Sequence, residues 1–428
     1  MSHNDLIVLG VGLAMLVHLA IGVPLFIVLG LGSLGMIVTV GVYSPSVLGD
    51  APFSALNNWA LLAMPLFILT GDIISSGRIA RQLVRLGQAI VGWMTGGLGM
   101  ATIMGCFFFA GTSGSNSADT VAIGKIMIPS MVESGYSRPY AAGLAAAGGC
   151  LGIIVPPSLI FIIYGVVSLT SVGDLFLGGI LPGILMAGFM CLANYFVCRC
   201  TSWGAQEKTS FRLVEVGHAA WAARYGLGAP AVILGGIYSG LFTPTEAASV
   251  AVAYCLFVEI FLTKGIKIRN IPQLLVRSGA IAGIIGPVIA FSVLFAEVLA
   301  VLRIPDRLAT SLLSMASGYT SGVLLIALLL LLVGCFIETI AALIIVSPIL
   351  QPIAQGLGIN PVHFGVFVVC ALTVGFITPP VGINLFAASA ISGEPYLQIA
   401  WRTWPLSLAL VLAILAIGFV PWFSTWFM

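Results

Sequence analysis

Apolar runs alternate with short polar stretches along almost the whole chain. Most runs approach the roughly 20 residues that a helix needs to cross a hydrocarbon core about 30 Å thick. The pattern predicts helices at about 6–22, 24–42 and 59–76, a helical hairpin at about 96–131, an interrupted helix at 139–170 and a helix at 174–198. Residues 77–93 read differently. Arg78, Arg81 and Arg85 share one helical face and Leu83, Leu86 and Ile90 another, as in a helix lying at the membrane interface. Such a helix is either a positively charged anchor or an arm that braces a moving domain.

Two runs are interrupted alike. Gly152-Ile-Ile-Val-Pro-Pro157 and Gly375-Phe-Ile-Thr-Pro-Pro380 carry one G-x-I-x-P-P pattern, 223 residues apart. A Pro-Pro pair removes two backbone N–H groups and clashes with the preceding turn, so neither helix can continue. Inside lipid such a break is tolerated only where its freed carbonyls face protein or a wet cavity. Further landmarks recur in the same order. Asp119-Thr120 lies ten residues before Pro129 and Glu338-Thr339 ten before Pro348, followed by Gly135-Tyr-Ser-Arg-Pro139 and Gly358-Ile-Asn-Pro361. Paired breaks in two halves of a chain point to the binding site of a secondary transporter.

Lys and Arg residues set the orientation. Arg78, Arg81 and Arg85, the stretch 199–224 with Arg199, Lys208, Arg212 and Arg224, and the group Lys264, Lys267, Arg269 and Arg277 thread to one side, which the positive-inside rule makes cytoplasmic. Arg303 and Arg307 fall outside. The first half then starts outside and the second inside. The fold class expected is an all-α polytopic membrane protein of two inverted-topology repeats, each with a re-entrant hairpin and a broken helix. The first repeat spans 1–224, with scaffold helices 1–76, an interfacial arm 77–93, a hairpin and broken helix 96–198 and a cytoplasmic loop 199–224. The second spans 225–428, with scaffold helices 225–302, an outer arm 303–319, a hairpin and broken helix 320–393 and a final helix 404–426.

Composition agrees with this class. The chain is 60% hydrophobic and 7% charged, against about 25% charged in soluble domains. Its 51 Gly and 22 Pro suit packed, interrupted membrane helices. Met1-Ser-His-Asn-Asp5 lacks the basic start of a signal peptide, so Leu6 onward reads as a retained first helix. No block of like charge suggests nucleic acid, and the eight scattered Cys read as small buried hydrophobes.

The chemistry is concentrated at the interruptions. Gly111-Thr-Ser-Gly-Ser-Asn-Ser-Ala-Asp119 is a polar island that cannot face lipid, and reads as the tip of the first hairpin. Its hydroxyl, amide and carbonyl oxygens are hard ligands for a small alkali cation, and carbonyls freed at Gly152 to Val155 complete such a shell. The bland alternative is a Gly/Ser packing motif. The second tip, Gly334-Cys-Phe-Ile-Glu-Thr339, is less polar, and Thr378 stands there in place of Val155, offering a side-chain oxygen. Half-helices starting near Pro157 and Pro380 direct positive dipole ends inward, where an anion is favoured. Ser158 and Asn384 in those first turns either bind solute or cap their helices; Ser115, Asp119 and Thr339 are further candidate solute contacts. Asp119 and Glu338 either balance cation charge or cap the second hairpin helix. Thr245 reads as the cap of a helix beginning at Glu246, and Pro65 as a kink in the span 59–76.

Together with Ala142-Gly-Leu-Ala-Ala-Ala-Gly-Gly149, Gly240-Leu-Phe-Thr-Pro-Thr-Glu-Ala-Ala248 and Phe376-Ile-Thr-Pro-Pro-Val-Gly-Ile-Asn384, the first tip resembles the large membrane subunit of tripartite ATP-independent periplasmic (TRAP) transporters, over essentially the whole chain. The resemblance implies an elevator-type, sodium-driven importer of the ion transporter superfamily in a bacterial or archaeal cytoplasmic (inner) membrane, with sodium as coupling ion and no other cofactor. It implies a separate small four-helix membrane subunit, a periplasmic substrate-binding protein and a small carboxylate solute. Carried onto matching positions, it implies one sodium at Ser113, Asn116, Gly152, Val155 and Pro157, and another at Gly334, Gly375, Thr378 and Val381, mostly through backbone carbonyls.

Two rivals compete. One is a stand-alone sodium/dicarboxylate symporter of the same superfamily. The other is an intramembrane serine protease with Ser113 as nucleophile, for which His18, His218 and His363 offer no base that the sequence can place nearby. Sialic acids, C4-dicarboxylates, other organic acids and ectoine-like zwitterions all stay open as solutes.

Overall fold

A computed structural model describes residues 3–41, 44, 46–204, 210–315 and 318–428. Among them the regular elements are helices, and seven of these, some with a flanking turn, are long and apolar enough to cross a membrane. In the first half they are α1 (His3–Ala20), α2 (Leu25–Val40), α3 (Val47–Leu56), α4 (Ala63–Ser76), α5 (Ile79–Val91), α6 (Gly97–Ser113), α7 (Asn116–Glu133), α8 (Arg138–Gly149), α9 (Leu159–Ser168) and α10 (Val172–Thr201). The second half holds α11 (Leu213–Tyr238), α12 (Pro244–Phe257), α13 (Ile271–Val301), α14 (Ile304–Met315), α15 (Tyr319–Phe336), α16 (Thr339–Gly356), α17 (Pro361–Val374), α18 (Ile383–Ser392), α19 (Tyr396–Phe419) and α20 (Trp422–Thr425).

The buried core is richest in α8, α17 and the segments that follow them, where Ala, Gly, Val and Phe are almost wholly enclosed. Small residues let these helices approach closely, the usual means of packing without a hydrophobic drive between helices. A second, smaller cluster joins α2 and α13 through Leu29, Met36, Leu294 and Val298. Packing across the two halves is reciprocal. Helix α4 lies on α12 and α2 on α13; α8 lies on α19 and α10 on α17; α7 lies on α18 and α9 on α16.

Helix α5 buries Ile79, Leu83, Val84 and Leu86 between α11 and α6, and exposes Arg81 and Arg85. Its first turn is tied to the neighbouring body. The carboxylate of Glu259, fully buried in a π-helical turn that extends α12, accepts hydrogen bonds from Arg78 N (3.0 Å) and Ile79 N (3.1 Å). That is an N-terminal cap supplied by a remote residue, so α5 is braced at its start.

Several boundaries differ from those the sequence predicts. Helix α11 begins at Leu213, so much of the expected loop 199–224 is helical, with residues 205–209 outside the described ones. Polar residues there ride on a helix that runs beyond the apolar stretch. Helix α3 answers to no predicted element. The outer arm 303–319 contains α14, while residues 316 and 317 lie outside the described ones. The last long helix begins at Tyr396 rather than 404 and carries Pro405 in its interior. Thr243, not Thr245, caps α12: its hydroxyl accepts from Glu246 N while the Glu246 carboxylate accepts from Thr243 N (2.8 Å), with Pro244 at the first helical position. Thr245 Oγ1 instead reaches Trp59 O at 2.8 Å. Pro65 falls in the first turn of α4, where proline costs little.

Cys200, exposed at the end of α10, makes the orientation testable. With the other seven cysteines replaced, Cys200 is expected to be protected from impermeant thiol reagents in intact cells, and a cysteine at Asp306 to react. The opposite pattern would invert the topology.

Candidate functional site

Each half carries a two-residue hairpin tip beside a broken helix. In the first, Gly114 ends α6 in the left-handed region (φ +61°), Ser115 is extended and α7 starts at Asn116. In the second, α15 ends at Phe336 and Glu338 caps α16, accepting from Ile340 N (3.0 Å) and Ala341 N (3.3 Å). Glu338 therefore takes the capping role left open by the sequence.

The breaks lie against these tips. After α8 a 3-10 turn (Cys150–Ile153) leads to the cis Pro156-Pro157 bond, and after α17 a 3-10 turn (Gly375–Ile377) leads to cis Pro379-Pro380. The half-helices start at Leu159 and Ile383, a little beyond the prolines, because Ser158 and Gly382 intervene. Ser158 caps α9, accepting from Phe161 N (3.4 Å) and donating to Ile153 O (2.6 Å). Thr378 Oγ1 donates to Val374 O at 2.8 Å, so it satisfies one freed carbonyl while its lone pairs stay available.

Close approach requires glycine at four of these positions. A Cβ on Gly152 would lie 2.8 Å from Ser115 O and 2.6 Å from Asp119 Oδ2, and one on Gly149 would lie 2.7 Å from Asn116 O. A Cβ on Gly334 would lie 2.9 Å from Leu372 O, and one on Gly375 would overlap the Gly334 carbonyl. The two breaks also meet each other, where Asn384 Nδ2 donates to Ala146 O (3.0 Å). The sequence-predicted residues Ser113, Asn116 and Gly152 are thus gathered in one tip–break pair, beside Val155 and Pro157, and Gly334, Gly375, Thr378 and Val381 in the other. Val381 N reaches Cys335 O at 3.3 Å.

A cavity of about 780 Å³ lies between the first tip and the helices α4, α5 and α13. Ser113, Ser115 and Asn116 line it, as does Glu338. Asp119, Ser158, Thr339 and Asn384 do not; each is buried behind the tips and breaks. Asp119 accepts from Ser113 Oγ through one oxygen, and its other oxygen has no hydrogen-bond donor among the described residues. A fully buried carboxylate oxygen beside Ser115 O and Gly152 suits a bound cation. Among the described residues no histidine lines the cavity.

Charged residues that sequence reading had not connected complete the walls. Asp72, in α4, accepts from Ser278 Oγ at 2.8 Å and pairs with Arg277 Nε at 3.7 Å. Arg81 and Lys125 line the same space. The signal for Asp72 and Glu259 was available: each is a single acid inside an apolar run, which marks function or tight pairing.

Helices interrupted at paired prolines beside a cavity with polar and charged residues in its walls define a multi-pass membrane protein of the secondary-transporter kind. Comparison with known proteins fixes the family. The family model "Tripartite ATP-independent periplasmic transporter, DctM component" matches residues 13–423, and the chain belongs to that family. It is 36% identical to the isethionate TRAP transporter permease protein DctMQ of Oleidesulfovibrio alaskensis, over 94% of this chain and 63% of that protein's length. It is 37% identical to the C4-dicarboxylate large permease DctM of Pseudomonas aeruginosa, over 86% of each. It is 35% identical to the sialic acid large permease SiaM of Vibrio cholerae, again over 86% of each. The fold resembles the YdaH transporter of Alcanivorax borkumensis (TM-score 0.58, 16% identity, 90% of this chain and 88% of that one). The protein is a TRAP large permease, a transporter subunit and not an enzyme.

Proposed function

We propose that this subunit imports a small organic anion across the bacterial inner membrane, driven by sodium bound at the two tip–break pairs. The observation that carries the reading is the buried Asp119 carboxylate, one oxygen on Ser113 and the other without a donor among the described residues, set against Gly152 of the first break and the Ser115 carbonyl of the tip. Ser113, Asn116 and the carbonyls near Gly152, Val155 and Pro157 hold one ion. Carbonyls near Gly334, Gly375 and Val381 with Thr378 Oγ1 hold the other. Asp119 supplies negative charge to the first site, and in this reading it serves the ion rather than the solute.

The solute occupies the cavity, touching Ser115 on the tip. A carboxylate or sulfonate is favoured, because three cations, Arg81, Lys125 and Arg277, line the space against two acids, Asp72 and Glu338. Relatives named for isethionate, C4-dicarboxylates and sialic acid fit an acidic solute. A small membrane subunit and a periplasmic binding protein complete the system, as the tripartite family description suggests. The two halves act as inverted repeats, a reading supported by their reciprocal packing. The hairpins and broken helices then move as one elevator against a scaffold of α1–α4 and α11–α13.

In proteoliposomes with the cognate binding protein, uptake is expected with a sodium gradient and not with potassium. Thr378→Val keeps the side-chain shape and removes the hydroxyl. It should raise the sodium concentration for half-maximal uptake roughly fivefold, the worth of a hydrogen bond of about 1 kcal/mol. An unchanged sodium titration would remove that side chain from the site.

A further inference from the structure

Resting on the reading that the chain moves an organic anion, we propose that Arg277, held in place by Asp72, is the scaffold's own carboxylate-binding residue, used when the cavity opens at its charged end. Asp72 is nearly buried within the apolar α4, and a carboxylate there is costly unless paired. Ser278 Oγ and Arg277 Nε meet that need. Asp72 engages the guanidinium at Nε, which leaves the outer nitrogens for another acceptor. The Arg277 side chain is 64% exposed, against 8% for Asp72. Pairing meets the need of Asp72, while the Arg277 head, left largely exposed, can meet a second acceptor.

The guanidinium fork matches a carboxylate in two-pronged fashion. Its surroundings favour an anion. The cavity lining carries three cations, Arg81, Lys125 and Arg277, against two acids, Asp72 and Glu338, a net positive balance. The opposite wall is the first tip, close at hand: a Cβ on Gly71, next to Asp72, would lie 2.8 Å from Ser113 O. A solute resting on the tip therefore comes within the space Arg277 lines. The cavity lining is exposed at Arg81 and Arg277, and along α13 at Ile281 and Ile284, and is buried at Met64 and Ile68, which are 5% and 7% exposed. The exposed end is the Lys/Arg-rich one, so this is the release side. Because Arg277 belongs to α13 and the tip to the α6–α7 hairpin, movement of the hairpin against the scaffold would break the contact, so a solute held here biases the equilibrium toward this state.

The test uses the large–small subunit complex in nanodiscs with sodium present. Succinate, isethionate and N-acetylneuraminate are screened by thermal shift, with glucose as the neutral control. The anion that stabilises the wild type is then titrated against variants. Arg277→Gln should weaken its apparent affinity tenfold or more, the loss expected for a hydrogen bond to a charged group. Sodium-dependent stabilisation without solute should persist, which shows that the variant is folded. Arg277→Lys keeps the charge, loses the fork and should fall between. Asp72→Asn, removing only the group that positions Arg277, should cost less than Arg277→Gln. A wild-type response retained in full by Arg277→Gln would overturn this proposal alone. No response of the wild type to any anion would overturn it together with the transport reading.

Discussion

Replacing Gly375 by alanine is expected to abolish uptake while the chain still inserts in the membrane. The added Cβ would overlap the carbonyl of Gly334 and lie 2.7 Å from its Cα. Both are backbone, with no flexible end to yield, so the second tip must lift from its break. Overpacking of this kind costs about 1–3 kcal/mol of stability. The larger loss is functional, since lifting the tip separates the carbonyls to which the proposed sodium would bind. Gly188→Ala in α10 is the control: among the described residues nothing lies within 4 Å of its Cβ position. That change should leave uptake intact and stability level or slightly raised. Normal uptake by Gly375→Ala would mean that tip and break need not touch.

A disulfide between positions 111 and 230 is expected to stop transport completely and reversibly. The Cβ position of Gly111, in the first hairpin, lies 3.5 Å from Pro230 Cβ in α11. That separation is within the usual disulfide range of about 3.5–4.5 Å. In a background without the native cysteines, oxidised Gly111→Cys/Pro230→Cys should show no uptake, and reduction should restore it. Sodium should still stabilise the oxidised protein against heat, because the tip–break pairs stay assembled. Full uptake through a complete cross-link would rule out the elevator and favour local gating. Ion and solute binding should also reinforce each other with equal strength in both directions.

Both helix breaks are legible in the sequence, because a Pro-Pro pair has no helical solution at membrane depth. The first tip is legible for a similar reason: nine residues so polar have no place in lipid. The second tip is fainter, since Gly334 contributes backbone shape rather than polarity, and only its counterpart points to it. Residues whose role depends on a partner from a distant helix are the least legible. Ser158 and Asn384 are equally good caps or solute contacts on paper, and burial against Ile153 and Ala146 decides where they point. Asp72 carries its own warning as a lone acid in an apolar run, but nothing local says that Arg277 and Ser278, some 200 residues later, answer it. Glu259 capping α5 is hidden in the same way. Helix ends such as Leu213 and Tyr396 escape because polar residues and proline there look like loop while the helix simply runs on.

Joint entry of labelled sodium and labelled solute into proteoliposomes tests the central claim most directly. With the small subunit and the cognate binding protein present, and with a sodium gradient as the sole driving force, both labels should enter together. More than one sodium ion should accompany each solute if both tip–break pairs carry ions. Solute entry at full rate with no accompanying sodium would contradict the account.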